Sequence, residues 1–476
     1  MSADLRGLTI EDAVEGVRTK AFRVEELAQA SLDGLDTIGR ELNAVARLES
    51  GHALAEAARL DREIADGKTD APLLGAPLAH KDLYFRKGWC LEAGSTILAG
   101  NVAGETAAAC ARLDAAGALD IARLNTVEFA LGTTGHNAIT GHVRNPWNPD
   151  YITGGSSSGS GASVAAGLVP AALGSDTGGS IRLPAAACGL VGLKPTFGRV
   201  GRSGVFPLSH SLDTVGPLTR TVRDTALVLQ AIAGHDPDDA GSVDHPVPDY
   251  MAEIEDGVQG LRIGVPENHF FDPVTPDVAS GLDEARRTLG ALGAEFQSVT
   301  FDQIVGTNRL TTLIICVEGA AVHGAWLREQ ASEYSDQTLS RLMSGLFIPG
   351  ETYVRALDFR RRFARLILET VFDAVDLVFV PVWPYQLPTI AESDLGANPG
   401  FSDMVGASGH CTRPVNLLGF PSISVPCGFT PNGLPAAFQL IARPFEEALL
   451  LRAARAFERA VEFTEKRPPV SVWNRA

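Results

Sequence analysis

Basic residues are in short supply. Forty Lys and Arg stand against 57 Asp and Glu, a formal net charge of −17. A surface of that sign offers no electrostatic footprint to a polyanion, so neither a nucleic acid nor an anionic membrane is expected as a partner. Cysteine is equally sparse. Cys90, Cys110, Cys188, Cys316, Cys411 and Cys427 are far apart, with no C-x-x-C pair. That excludes a zinc-type ligand set and fits reduced thiols in the cytosol. The first residues, Met-Ser-Ala-Asp-Leu-Arg, lack a basic and then apolar leader, so no signal peptide is expected. The small-residue run Ala162–Gly174 carries Pro170 and is too short to span a bilayer. There is no G-x-x-x-x-G-K-[ST], and Gly159-x-Gly161 lacks the third glycine of a dinucleotide fingerprint, so a phosphate-cradling loop is not indicated.

What is present is apolar bulk: 476 residues, 45% hydrophobic and 20% charged, enough to bury a large core, in two or three domains by length or in one large α/β domain over 1–476. Thr9-x-x-Asp12 is a capping pattern opening a helix, and a second helix is expected over Val24–Arg40. With a third over Gly51–Ala65 they make residues 1–70 a helical packing region. Residues 75–220 alternate strand-like and helix-like stretches, the mark of an α/β fold. His235–Tyr250, rich in Asp and Pro, is linker-like, and 305–372 reads as a helical insertion. Asp376–Pro381 and Ser422–Pro426 are short apolar runs of buried-strand type.

The chemistry is concentrated between Gly154 and Arg182. Gly-Gly-Ser-Ser-Ser-Gly-Ser-Gly is followed by an apolar stretch read as one helix, then by Gly174-Ser-Asp-Thr-Gly-Gly-Ser-Ile-Arg182. Upstream, Leu74-Gly-Ala-Pro-Leu-Ala runs straight into His80-Lys-Asp82. A strand there carries Lys81 inward, where desolvation lowers its pKa and makes a neutral amine available as base. His80 and Asp82 then point to the opposite face. Gly155-Ser-Ser157-Ser-Gly159 formally fits the nucleophile elbow G-x-S-x-G, but Tyr151-Ile-Thr-Gly supplies no strand before it. A flexible serine–glycine linker would not lead into an apolar run and a second turn bearing Asp176 and Arg182. A serine hydrolase using a lysine as base is the fourth reading of the stretch.

That arrangement resembles the amidase signature family. Gly154-Gly-Ser-Ser-Ser-Gly-Ser160 is similar to its glycine–serine motif, with Ser158 where glycine is common, and Gly174–Arg182 matches its second motif. Pro77-Leu-Ala-His-Lys-Asp82 is similar to its lysine motif, with His80 at a position usually small or apolar. Lys81 precedes Ser156 by 75 residues, and Ser156 precedes Ser180 by 24. Ser211–Arg220 and Arg413–Gly428 extend the likeness, which covers about residues 5–465. The resemblance implies a mixed, mostly parallel sheet sandwiched between helix layers. It implies Ser180 as nucleophile, Ser156 as a bridging serine after a cis peptide bond, and Lys81 as base. The backbone N–H groups of Thr177, Gly178, Gly179 and Ser180 are then candidates for an oxyanion hole. Asp176, Arg182 and Ser157 are expected to support the site.

The substrate is less legible. Phe129, Thr133, Ile152, Trp383, Tyr385 and Cys411 lie near motif ends or follow a buried strand and are the candidate pocket. Within the family the choice lies between a stand-alone amidase for small amides and the glutamine-hydrolysing subunit of a tRNA-dependent amidotransferase. Such a subunit carries an acidic residue just before the Arg413-Pro-Val-Asn416 motif to hold the glutamine amino group. Ala407-Ser-Gly-His-Cys-Thr-Arg413 has none, and on that ground the amidase is preferred. Carbamate, hydrazide or ester cleavage uses the same machinery, and an inactive scaffold subunit is the alternative outside catalysis. No metal or organic cofactor is implied; a homodimer is compatible with the family.

Overall fold

A computed structural model describes residues 5–394, 406–461 and 463–469. Eleven strands form one sheet: β1 (Val45–Leu48), β2 (Pro77–Lys81), β3 (Leu119–Leu124), β4 (Ala171–Asp176), β5 (Val191–Lys194), β6 (Thr214–Thr219), β7 (Arg262–Pro266), β8 (Glu295–Val299), β9 (Leu377–Pro381), β10 (Ser422–Phe429) and β11 (Pro435–Ile441). Their order is β1-β3-β2-β4-β6-β5-β10-β11-β9-β7-β8. The sheet is mixed, as expected, but not mostly parallel: among the described residues six of its ten strand pairings are antiparallel, β10 and β11 for instance being joined by a short turn rather than by a helical crossover. Parallel pairing joins β2 to β3 and β4 on one flank and β7 to β8 and β9 on the other, while the centre is antiparallel. Every residue of β2, β3, β4, β5, β6, β9 and β11 is buried. Strands covered on both faces need continuous apolar sequence rather than alternation, which is what Ala-Ala-Leu-Gly and Leu-Val-Phe-Val supply.

The N-terminal helices are α1 (Ile10–Arg18), α2 (Val24–Gly34) and α3 (Ser50–Ala65). Thr9 and Asp12 complete a reciprocal capping box at α1. The Val24–Arg40 expectation resolves into α2 and a π-helical turn over Leu35–Gly39. Next come α4 (Ala108–Ala115), α5 (Ser158–Ala165), α6 (Arg182–Cys188), α7 (Val222–Ile232) and α8 (Pro276–Ala291). Helices α5 and α6 pack on each other and on the central strands. Helix α7, α8 and the closing α13 (Glu447–Val461) form a second group on β4–β6, β10 and β11. The stretch between the serine turns is not one helix. It breaks at Gly167-Leu-Val-Pro170, giving α5 and then β4, because Pro170 cannot continue a helix and Ala-Ala-Leu-Gly fits a doubly covered strand. Ser211–Arg220, one of the stretches that extend the family likeness, contains β6.

The 305–372 region forms α9 (Thr307–Glu329), α10 (Asp336–Leu346) and α11 (Gly350–Thr370). Helix α9 is long and apolar enough, by length and composition alone, to cross a membrane. It packs on α10, α11 and α12 (Arg413–Leu418), and its buried Glu318 accepts hydrogen bonds from Ser209, Ser211 and Tyr353. That is the pattern of a core helix. The linker-like stretch after His235 is tied down: Asp239 pairs with Arg202 and Asp236 accepts from Ser203.

Candidate active site

Strand β2 delivers Lys81 to the interior with no exposed surface. Its Nζ donates to Ser156 Oγ at 2.7 Å and to Ser175 Oγ at 2.9 Å. Desolvation lowers its pKa from 10.5 to about 7, against the opposing pull of Asp213 and Asp176. A substantial neutral fraction therefore exists at neutral pH, as the apolar approach along β2 suggested. His80 points to the other side, where its Nδ1 accepts from Leu173 N and burial lowers its pKa to about 4.

Ser156 follows a cis Gly155–Ser156 peptide bond. Its carbonyl accepts from Thr126 Oγ1 and Val127 N, and Gly155 N donates to Thr133 O. Ser157 joins the serine loop to β4: its hydroxyl accepts from Ser175 N and donates to Ser175 O. Ser158, the departure from the family pattern, starts α5 and reaches back to Asn125 O. Ser180, 6% exposed, makes no side-chain hydrogen bond among the described residues and keeps a route to solvent that Lys81 and Ser156, both at 0%, lack. An attacking group must reach substrate, and the groups relaying its proton need not.

The turn around Ser180 hangs on Asp176. Its carboxylate accepts from Gly179 N at 2.8 Å, Ile181 N at 3.2 Å and Arg182 Nε at 3.0 Å. Burial pushes this carboxyl up, but Arg182 outweighs it and holds the pKa well below the usual range. Arg182 also reaches Gln439, Thr412 O and Asn416, and Thr412 Oγ1 donates to Gly178 O. The four-amide oxyanion expectation needs correction. The Gly179 N–H is spent on Asp176, whereas those of Thr177, Gly178 and Ser180 have no partner among the described residues. Three unpaired amides on one glycine turn can hold a developing oxyanion.

Sequence reasoning missed Ser175, Thr412, Asn416 and Gln439. Ser175 sits inside the second motif, and β4 alternation offered a signal: Ser175 and Lys81 are inward residues two strands share. Gln439 lies in a strand that was not foreseen. The proposed pocket mostly dissolves. Phe129 packs among Phe206, His323, Trp326 and Tyr334. Ile152 and Trp383 share an apolar cluster with Leu183, and Cys411 lies in another with Phe270 and Val415. These four are core, placed there by size and apolarity. Thr133 stays beside the serine loop and accepts from Ser408, and Tyr385 lies near Arg413.

A family model described as Amidase matches residues 26–451. The chain belongs to the amidase signature family. Family membership makes it an enzyme of the amide-hydrolysing kind, and the inactive-scaffold alternative loses its ground. Among curated relatives, the A subunit of the glutamyl-tRNA(Gln) amidotransferase from Geobacter metallireducens is 40% identical, covering 96% of this chain and 98% of that one. The corresponding A subunit from Thermotoga maritima, a solved structure, is 31% identical, covers 96% of both chains and superposes with TM-score 0.80. A structure described as a vestigial protein complex revealing the origins of an s-triazine catabolic enzyme is 34% identical. It covers 95% of this chain and 99% of that one, with TM-score 0.89.

These relatives overturn two expectations. Preference for a stand-alone small-amide amidase rested on a missing acid before Arg413; end-to-end similarity to the A subunits outweighs one position. Exclusion of nucleic acid rested on net charge. That quantity describes one chain's surface and does not describe the surface of an assembly.

Proposed function

We propose that this chain is the amide-hydrolysing subunit of an amidotransferase, releasing ammonia from glutamine for use on glutamyl-tRNA(Gln) with partner subunits. The observation that carries the reading is the full-length match to A subunits, joined to a buried lysine hydrogen-bonded to Ser156. Ser180 Oγ attacks the side-chain amide carbon while its proton passes to Ser156 and that of Ser156 to neutral Lys81. The free amides of Thr177, Gly178 and Ser180 receive the oxyanion. The relay then runs backwards: Lys81 returns the proton through Ser156 to the departing nitrogen, which leaves as ammonia. Water, deprotonated by the same relay, attacks the acyl-Ser180 ester and frees the acid. Nothing in this sequence of steps calls for a metal or organic cofactor.

The test is ammonia release from glutamine by the chain alone, and conversion of glutamyl-tRNA(Gln) to glutaminyl-tRNA(Gln) when the remaining subunits of a relative are added. Both are expected, and both vanish in Ser180→Ala. Ammonia release with no amidation of the tRNA would remove the amidotransferase part of the reading; retention of either activity by Ser180→Ala would remove the nucleophile.

A further inference from the structure

The relay and the amide cup meet at a short stretch that takes part in neither, Leu208–Thr214, where the chain turns into β6. The Thr177 amide belongs to the peptide unit whose carbonyl is Asp176 O. That oxygen accepts from Thr214 Oγ1 at 2.8 Å and from Asn416 Nδ2 at 3.2 Å. In a planar trans peptide the N–H points away from the C=O, so holding the carbonyl aims the amide. The Thr177 side chain is held as well, its hydroxyl donating to Asp213 Oδ1 at 2.5 Å. Asp213 Oδ2 accepts from Leu208 N at 2.8 Å and Ser209 N at 2.9 Å. Two consecutive residues, Asp213 and Thr214, thus grip both sides of the peptide that bears the first amide of the cup.

Asp213 also faces the relay. With Ser175 and Thr214 it lines one cavity of about 610 Å³, and Ser175 is the second acceptor of Lys81. Two carboxylates, Asp213 first and Asp176 second, oppose the desolvation of the Lys81 amine. Asp176 is bound to Arg182, with neither side chain exposed. Asp213 has no ion pair among the described residues. Arg202 faces it but is paired with Asp239, and Glu318 on α9 is occupied by Ser209 and Ser211. His210 and Arg360 line the same cavity. Burial pushes the Asp213 carboxyl up, and the hydrogen bonds from Thr177, Ser209 and Leu208 oppose this.

We infer that Asp213 is a positioning residue for hydrolysis at Ser180, aiming the Thr177 amide into the oxyanion cup through the Thr177 hydroxyl and setting a negative charge beside the Lys81–Ser175 contact. The inference rests on the Lys81 relay and on Ser180 as nucleophile, and adds a group that neither touches substrate nor carries the relayed proton. A negative charge there favours the protonated amine, so its removal leaves Lys81 neutral down to lower pH.

The experiment compares Asp213→Asn and Thr177→Val through two pH profiles: kcat/KM for glutamine, and the rate at which a fluorophosphonate labels Ser180, which needs no amide. In Asp213→Asn the acidic limb is expected to move from near 7 to about 6, with kcat about 10- to 100-fold lower and KM nearly unchanged. In Thr177→Val kcat falls by a similar factor while the limb stays in place, because the carboxylate remains, and Thr177→Ser recovers most of the loss. An unmoved limb in Asp213→Asn, or an unchanged kcat in Thr177→Val, overturns the inference. Should Asp213→Asn not fold, the two Thr177 variants decide it. A limb that moves in the labelling profile with no ammonia from glutamine would keep Asp213 and sink the choice of glutamine. No labelling of the parent would remove Ser180 as nucleophile, and the inference with it.

Discussion

The Lys81 amine nitrogen stands 2.7 Å from the Ser156 hydroxyl oxygen, and solvent reaches neither side chain. Desolvation sets the pKa of that amine to about 7. A protonated amine cannot accept the relayed proton, so activity falls as pH drops below that value and rises through it. The kcat/KM profile for glutamine is expected to show an acidic limb with midpoint near 7, one proton steep. A limb centred near 4, or none between 5 and 9, would show that Lys81 is not the titrating base.

Removing either end of the relay tests its membership. Lys81→Met and Ser180→Ala are each expected to lower kcat by about 10⁴-fold or more, and the double variant to be little worse, because groups acting as a unit lose their effect together. Thermal unfolding checks that the variants stay folded. Additive losses would mean the two do not share one proton path.

Ser175 presents a subtler case. It gives Lys81 a second acceptor at 2.9 Å while its backbone N–H and carbonyl bond Ser157. Ser175→Ala keeps the backbone contacts and frees the amine to leave Ser156. A fall in kcat of about 10- to 100-fold with KM nearly unchanged is expected. Ser175→Thr, which restores the hydroxyl, recovers part of the loss. A rise in KM alone would assign Ser175 to binding.

How much of this was written in the sequence depends on which force fixes each feature. Lys81, Ser156 and Ser180 were legible because glycine-rich turns and an apolar run into a lysine are local patterns with few other uses. The split of the apolar run into α5 and β4 was not, since short runs of Ala, Leu and Gly suit a helix or a doubly covered strand equally. Gln439 and Asn416 are brought to Arg182 from more than 230 positions away; Gln439 carries no local signature, and Asn416 was visible only as the end of a motif. The assigned pocket failed for a related reason: aromatic and apolar residues near motifs are what a core also selects, and Phe129 and Cys411 went there. Asp213 was visible only as part of a motif, and its bond to Thr177 needed the fold.

The Asp176–Arg182 pair has no exposed surface on either side chain. Arg182→Met strands a buried carboxylate and is expected to cost about 3–5 kcal/mol in urea unfolding. Asp176 has a folded-state pKa below its ordinary 3.8. Its stabilisation is therefore complete above about pH 4 and declines as the medium is acidified further, since the unfolded chain then takes up the proton first. The parent should lose stability across that acid range more steeply than Arg182→Met, in which the depression is gone. Parallel curves would mean Arg182 is not its cause.

Two adjacent glycines in the Ser180 turn should respond differently to a methyl group. Gly179 has φ +128°, a conformation side chains rarely adopt, and an added Cβ would lie 2.4 Å from Thr412 Oγ1 and 2.9 Å from Leu183 Cδ1. Thr412 is itself fixed through its bond to Gly178 O, so it cannot yield without releasing that peptide. At Gly178 the same methyl meets nothing nearer than 3.5 Å, an ordinary contact. Gly179→Ala is expected to lose about 1–3 kcal/mol from backbone strain, with the clash adding to it. It should also lose most of its activity, because turning this peptide misdirects the free amides of Gly178 and Ser180. Gly178→Ala should unfold within about 0.5 kcal/mol of the parent. Equal unfolding midpoints for the two variants would mean the turn is looser than its hydrogen bonds imply, and the amide cup would then not be preorganised.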